Sequence, residues 1–253
     1  MNTTGPKNTV QKANAPKAPP RRELAFRTAP GYLGTGFETE AEWLQRVTRE
    51  FSRFVPVLTQ KCGVSFHGRI LEIGAAGAWF SAELSKLPKV VEILATDFSP
   101  RLLKEKSPGL FRLLNAHEAK IRRMPLAGRK LDFPDQHFDF VVCAALLHRA
   151  LNPVAVLREV RRILKPGGQL VAVREPVRPL VQWKSAARRP IKPAPPALSY
   201  TLQDYREFFA LAGLDLETRR LNVSEGLKYY FDEVVNGLTH ARYVFLATKR
   251  RRA

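Results

Sequence analysis

Glu72-Ile73-Gly74-Ala75-Ala76-Gly77 is the stretch on which the fold turns: an apolar run leads into it, a helical pattern follows it, and Asp97 closes the next apolar run. A strand that turns sharply on small residues into a helix aims backbone N–H groups and the helix N-terminus at a bound nucleotide or nucleoside. An acid at the end of the following strand can hold ribose hydroxyls. Asp97 lies 23 residues past Gly74, close to the offset of roughly 20 residues expected for such an acid in a βαβ unit. The pattern predicts a site for an adenosine-containing cofactor.

Outward from this turn, apolar runs and helical periods alternate. Strands are expected over 70–73, 90–96, 121–124, 138–143 and 169–174, and helices over 78–87 and 153–164, with helical material from Pro100 to about Lys120. Lys165-Pro166-Gly167-Gly168 reads as the turn before the strand at 169. Such alternation implies a parallel sheet with helices on both faces. Upstream, Thr39 and Glu42 form a capping box ahead of Leu44, Val47, Phe51 and Leu58 at helical spacing. Downstream, six prolines within 176–196 exclude a continuous helix. Thr201 caps a helix that ends at Gly213, and strands over 214–221 and 241–248 flank a helical insert around 225–236.

With 253 residues and 45% apolar content, the chain can bury a substantial core. No apolar stretch approaches the roughly 20 residues that span a bilayer, and the N-terminus has no apolar leader segment. A cytoplasmic location is the resulting expectation. Cys62 and Cys143 are distant in sequence, and the five histidines lack ligand spacing, so neither a disulfide nor a structural metal is expected. The net charge of +19 suggests a nucleic-acid binder only until it is localised. Segments 1–30, 101–130, 177–193 and 249–252 together exceed it, and the remainder is slightly acidic. Residues 1–30 hold so few bulky apolar side chains that a disordered basic tail is expected. A helical segment over 31–66, a main domain over 67–248 with an excursion at 176–196, and a basic tail over 249–253 complete the organisation.

Four motifs in order resemble the class I S-adenosylmethionine-dependent methyltransferases, in particular the group acting mainly on small molecules. They are Leu71-Glu72-Ile73-Gly74, Ala95-Thr96-Asp97-Phe98-Ser99-Pro100, Asp132-Phe133-Pro134-Asp135-Gln136-His137-Phe138-Asp139, and the run from Leu157 to Gly168 ending in Lys165-Pro166-Gly167-Gly168. The resemblance implies a doubly wound α/β fold: a seven-stranded, mostly parallel sheet with an antiparallel last strand and helices on both faces. It also implies S-adenosylmethionine as cofactor, held by Glu72 and Gly74 at the methionine end with Ala75, Ala76 and Gly77, by Asp97 at the ribose, and by Phe98 beside the adenine.

Three departures stand out. Methyl groups occupy two customary glycine positions in Gly74-Ala75-Ala76-Gly77-Ala78, and an added Cβ restricts positive φ. Ala127 stands where an acid commonly accepts from the adenine amino group, so no side chain is assigned there. The frequent histidine after the fourth strand aligns with Arg149, one place after His148. His148 is the candidate general base, since an imidazole suits proton removal near neutral pH; alternatively it only lines the cleft.

Cys143-Ala144-Ala145-Leu146 replaces the Asn- or Asp-Pro-Pro-aromatic sequence of enzymes that methylate base amines in nucleic acids, which disfavours those acceptors. Basic residues at Arg122, Arg123, Arg129 and Lys130, and at Lys184, Arg188, Arg189 and Lys192, either rim the substrate mouth and favour a small anionic acceptor or form a solvated surface. With Arg149, Trp183 within the excursion is placed at the same mouth, or packs as an ordinary aromatic. An RNA methyltransferase with phosphate-binding tails and a non-catalytic scaffold of the same fold are the rival readings; no RNA-binding module is recognisable. Oligomeric state is left open.

Overall fold

The computed structural model describes residues 52–126, 131–178, 200–220 and 243–250, together with positions 42, 45 and 48, which are helical. The expected insert around 225–236, the N-terminal tail, residues 251–253 of the C-terminal tail and most of the Pro-rich excursion lie outside the described residues.

Helix α1 (Phe54–Gln60) precedes strand β1 (Gly68–Ile73), helix α2 (Trp79–Ser85) and strand β2 (Val90–Asp97). The helical material after Pro100 is divided into α3 (Pro100–Glu105) and α4 (Ser107–Leu113). A 3-10 turn at Glu118–Lys120 completes the helical material expected from Pro100 to about Lys120. Pro108 lacks an N–H and belongs in a first helical turn, so the chain starts a new helix there and ends it at Leu113. Strands β3 (Ile121–Pro125) and β4 (Phe138–Ala144), helix α5 (Pro153–Ile163) and strand β5 (Leu164–Val173) follow. A two-residue pairing of β6 (Val177–Arg178) with β7 (Tyr200–Thr201) leads into α6 (Leu202–Leu211), β8 (Asp215–Arg220) and β9 (Tyr243–Thr248).

Seven strands form one sheet in the order β3-β2-β1-β4-β5-β9-β8. β9 runs antiparallel to both of its neighbours, and the remaining pairs are parallel. Because successive side chains on a strand point to opposite faces, Ile70, Val142, Val171 and Val244 pack on one face with α1, α2 and α4. Leu71, Val141, Leu170 and Phe245 pack on the other with α5 and α6.

Helix α5 illustrates how sequence becomes packing. Asn152 caps it by accepting from Ala155 N at 2.9 Å, Pro153 opens the first turn, and Val156, Leu157, Val160 and Ile163 recur at helical spacing and are all buried. At roughly 1.5–3 kcal/mol per buried aliphatic side chain, these four contribute up to about 6–12 kcal/mol, an upper bound because the unfolded chain already hides part of this surface. On α6 the expected Thr201 cap is reciprocal with Asp204, and the Tyr205 ring packs tilted against Phe245 with centroids 4.7 Å apart.

The amino ends of the strands are locked by Asp139, which accepts from Arg69 N at 2.8 Å and from Lys165 Nζ at 2.9 Å. A Cβ at Gly68 would lie 2.2 Å from Asp139 Oδ2. Lys165–Gly168 is a bulge inside β5 rather than a turn before it: Leu164 already pairs with Phe138, and regular register resumes at Gln169 with Phe140. Gly167 has φ +81° and donates to Lys249 O at 2.8 Å, so the looped-out residues are tied to the chain after β9. Arg162 anchors the Asp132–Asp135 motif by donating to the carbonyls of Leu131 and Phe133 and to the Asp135 carboxylate. No helix among the described residues is long and apolar enough to cross a membrane.

Candidate active site

Parallel strands bring four loops to one edge of the sheet, the carboxyl end where open α/β folds bind ligands. The register aligns Ile73 with Thr96 and with Cys143, and Ala144 with Val173. The segments after these strands, 74–78, 97–99, 145–149 and 174–178, are therefore neighbours.

The turn after β1 keeps the shape expected of a glycine run. Gly74 has φ +73°, Ala76 +48° and Ala78 +58°. For a non-glycine residue this left-handed region costs on the order of 1–2 kcal/mol, so the surroundings must hold it. They do: Ala75 N donates to Thr96 O at 2.9 Å, Ala78 N donates to Ala75 O at 2.6 Å, and Ala76 N donates to Asp97 Oδ2 at 2.8 Å. The methyls of Ala75 and Ala78 are buried in the core, so neither narrows the cleft. Ala76 alone of the three is partly exposed.

Asp97 is 8% exposed. Its Oδ2 accepts from Ala76 N and its Oδ1 from Ser99 N at 2.7 Å. The Phe98 N–H also bonds this carboxylate, and with about four acceptor sites on its two oxygens capacity remains for a ribose hydroxyl. Burial pushes the Asp97 carboxyl up, while the Ser99 and Ala76 N–H groups and the Arg149 charge pull it back. Arg149 is thus within electrostatic reach of the ribose-site acid.

Glu72 is 1% exposed. It accepts from Ser81 N at 2.9 Å and from Ser81 Oγ in a short contact. Burial raises its pKa from the ordinary 4.5 to about 8; the Ser81 bonds oppose that rise and the neighbouring Asp97 adds to it. A buried, mostly neutral acid beside the cleft is suited to a cationic ligand, whose charge would restore ionisation. Phe98 is half-buried and packs against the second core face. Acceptor capacity on Asp97, a positive-φ turn on small residues and a carboxyl awaiting a cation together fit S-adenosylmethionine.

The loop after β4 touches this turn, since a Cβ on Gly74 would meet Leu146 Cδ1 at 3.0 Å. His148 and Arg149 follow in a short 3-10 turn. Sequence reasoning missed the group that organises them. Glu175, 3% exposed just past β5, accepts from Leu146 N, Leu147 N and His148 N at 2.7, 2.9 and 3.0 Å and lies 2.9 Å from His148 Nδ1. The available signal was an acid directly after a core strand at the ligand edge.

Arg122 and Arg123 do not rim the mouth. Arg122 reaches Glu92 at 3.5 Å and lines a cavity of about 310 Å³ with Arg69 and His137 toward the amino ends of the strands. Arg123 donates to Ser107 Oγ at 2.9 Å over the Phe111 ring. Trp183, Lys184, Arg188, Arg189, Lys192, Ala127, Arg129 and Lys130 lie outside the described residues.

Residues 71–172 match a family model described as a methyltransferase domain. This stretch is therefore similar to methyltransferase domains. The domain is 33% identical over 113 residues to the ubiquinone/menaquinone biosynthesis C-methyltransferase UbiE of Azotobacter vinelandii, covering 44% of this chain and 44% of that protein. It is 31% identical over 111 residues to a demethylmenaquinone methyltransferase of Deinococcus radiodurans, covering 43% of each. The matches thus span less than half the length of these curated relatives. A solved S-adenosylmethionine-dependent methyltransferase from Aquifex aeolicus superposes with a TM-score of 0.56 at 17% identity, over 83% of this chain and 98% of that one; at that identity the likeness is one of fold. That Aquifex protein depends on S-adenosylmethionine, and the residues described above are those that would hold the same cosubstrate here.

Proposed function

We propose that this chain transfers a methyl group from S-adenosylmethionine to a small, anionic acceptor by in-line displacement. The observation that carries the reading is the Asp97 carboxylate, nearly buried, braced by the N–H groups of Ala76, Phe98 and Ser99, with acceptor capacity left for a ribose hydroxyl.

The bound cosubstrate supplies an activated methyl on a sulfonium whose departing group is neutral. The protein then has to align and to manage a proton. Glu72 and the Gly74–Ala78 turn receive the methionine end and Asp97 the ribose. Such alignment can supply as much as roughly 7–11 kcal/mol of the barrier. His148, on the loop that abuts Gly74, is the group in place to take a proton from the acceptor. Arg149, on the same loop, supports an anionic acceptor, because a fixed positive charge at the crevice concentrates anions there.

Calorimetric titration with S-adenosylmethionine, followed by turnover against pooled cell metabolites and total RNA, tests this. Heat of binding and turnover with an acidic metabolite fraction are expected. Turnover confined to RNA, with salt-dependent retention, would transfer the assignment to an RNA methyltransferase. Absence of heat and of a melting shift at millimolar cosubstrate would leave a scaffold.

A further inference from the structure

The Glu175 carboxylate has every acceptor site used. Three donors are backbone N–H groups of consecutive residues, Leu146, Leu147 and His148, and the fourth neighbour is His148 Nδ1. A carboxylate offers about four lone-pair sites, so no place is left for an acid proton, and Glu175 must be ionised and acceptor-only. Nδ1 at 2.9 Å from Oε2 must then be the donor, since two acceptors would repel at that distance. The neutral ring consequently carries its lone pair on Nε2.

We propose that Glu175 is a positioning residue that fixes His148 in the Nδ1–H form and so makes Nε2 the proton acceptor of the transfer. The proposal rests on the methyl-transfer reading above. In the step, the X–H bond of the acceptor breaks as X–CH3 forms, the pair of the broken carbon–sulfur bond stays on sulfur, and the proton passes to Nε2. The imidazolium so formed keeps its Nδ1–H on the Glu175 carboxylate, a charge-assisted hydrogen bond in a site shielded from water.

Burial and exposure are distributed as this role requires. The Glu175 side chain has no exposed surface, while that of His148 keeps 13%. Since Nδ1 faces a fully buried oxygen, the exposure belongs to the rest of the ring. The same carboxylate bonds the N–H of Leu146, whose side chain abuts Gly74, so one group sets both the tautomer and the placement of the ring against the cofactor turn. The other titratable or charged groups here are Arg149, adjacent in the chain; Tyr205, whose hydroxyl donates to Pro176 O at 3.3 Å and is pushed up by burial and by Glu175; and Cys143, a buried thiol raised by burial and then by Glu175. Tyr205 and Cys143 stay neutral, so neither adds a charge beside the ring.

Ring-nitrogen NMR of the full chain labelled with 15N-histidine, with His148 assigned by His148→Gln, reads the tautomer directly. The wild type is expected to show a protonated Nδ1 in the neutral ring. In Glu175→Gln the Nδ1–H excess should disappear. A folded Glu175→Gln with unchanged tautomer overturns the proposal. So does a wild-type ring with its proton on Nε2, which decides the matter even if the variant does not fold. Titrating the same samples with S-adenosylmethionine separates the two readings. Heat with the wrong tautomer removes Glu175 from its role alone, whereas no heat removes the transfer on which that role depends.

Discussion

Glu72→Gln isolates the cost of one buried acid. In the folded chain burial raises the Glu72 carboxyl from 4.5 to about 8, so between those values the native state holds a proton that the unfolded chain releases. Stability falls with pH wherever the native state binds more protons. The Glu72 contribution is therefore intact below about pH 4.5 and is lost progressively as pH rises toward 8. At about 1.4 kcal/mol per pH unit, the full loss is on the order of 5 kcal/mol, an upper figure because ionised interior groups recruit water and relax. Glutamine keeps an oxygen for Ser81 N and removes the titration. Urea unfolding of both proteins at half-unit steps from pH 5 to 9, plotted as wild type minus variant, cancels every other titrating group. The difference should slope downward by about 1 kcal/mol per unit and level off near pH 8. A flat difference would show that Glu72 ionises normally and would refute the reasoning. As a corollary, cosubstrate binding at pH 7 should release a proton from the wild type, seen as a dependence of the binding heat on buffer ionisation, and should not do so from the variant.

Asp97→Ala should reduce S-adenosylmethionine affinity about 100-fold or more, given about 1.5–3 kcal/mol for each hydrogen bond to a charged group, while circular dichroism stays native; unchanged affinity by calorimetry would contradict the ribose assignment. Ala76→Gly and Ala78→Gly should diverge in urea unfolding. Both relieve a left-handed backbone at about 1–2 kcal/mol against an entropy cost of about 0.4–1 kcal/mol, but only Ala78 also loses a buried methyl at about 0.8 kcal/mol. Ala76→Gly should therefore stabilise by up to about 1 kcal/mol and Ala78→Gly should be near neutral; the reverse order would contradict the placement of the two methyls. Gly68→Ala should destabilise by about 2–4 kcal/mol through displacement of Asp139 and its Lys165 partner, with cosubstrate affinity of the folded fraction unchanged.

Local periodicity made much of this legible. The strand, small-residue turn, helix and acid from Leu71 to Asp97 were readable because each depends on neighbours within a few positions, and so was the Thr201 cap. Four features were not. The Lys106 break required weighing Pro108 against a persistent apolar period. The Lys165–Gly168 bulge depends on pairing with Phe138 and on Lys249, far along the chain. Arg122 and Arg123 have basic side chains after a core strand, as a rim would, yet β3 is an edge strand and their partners are Glu92 and Ser107. Glu175 meets its loop across 27 to 29 residues, a separation with no period to reveal it. Asp139 and Lys165 carry a different lesson: they helped to mark the family, yet they brace the end of the sheet remote from the cleft.

The position of β9 dictates an order of assembly. Every strand from β1 to β5 can join the sheet as it emerges from the ribosome, but β8 reaches the sheet only through β9, which pairs Thr248 with Gln169 and Asp215. Until residues 243–248 are synthesised, β5 presents an open, apolar edge of the sort that invites intermolecular pairing. The nascent chain is therefore most exposed to aggregation late in translation, after its cofactor pocket has all its parts but before its sheet is closed.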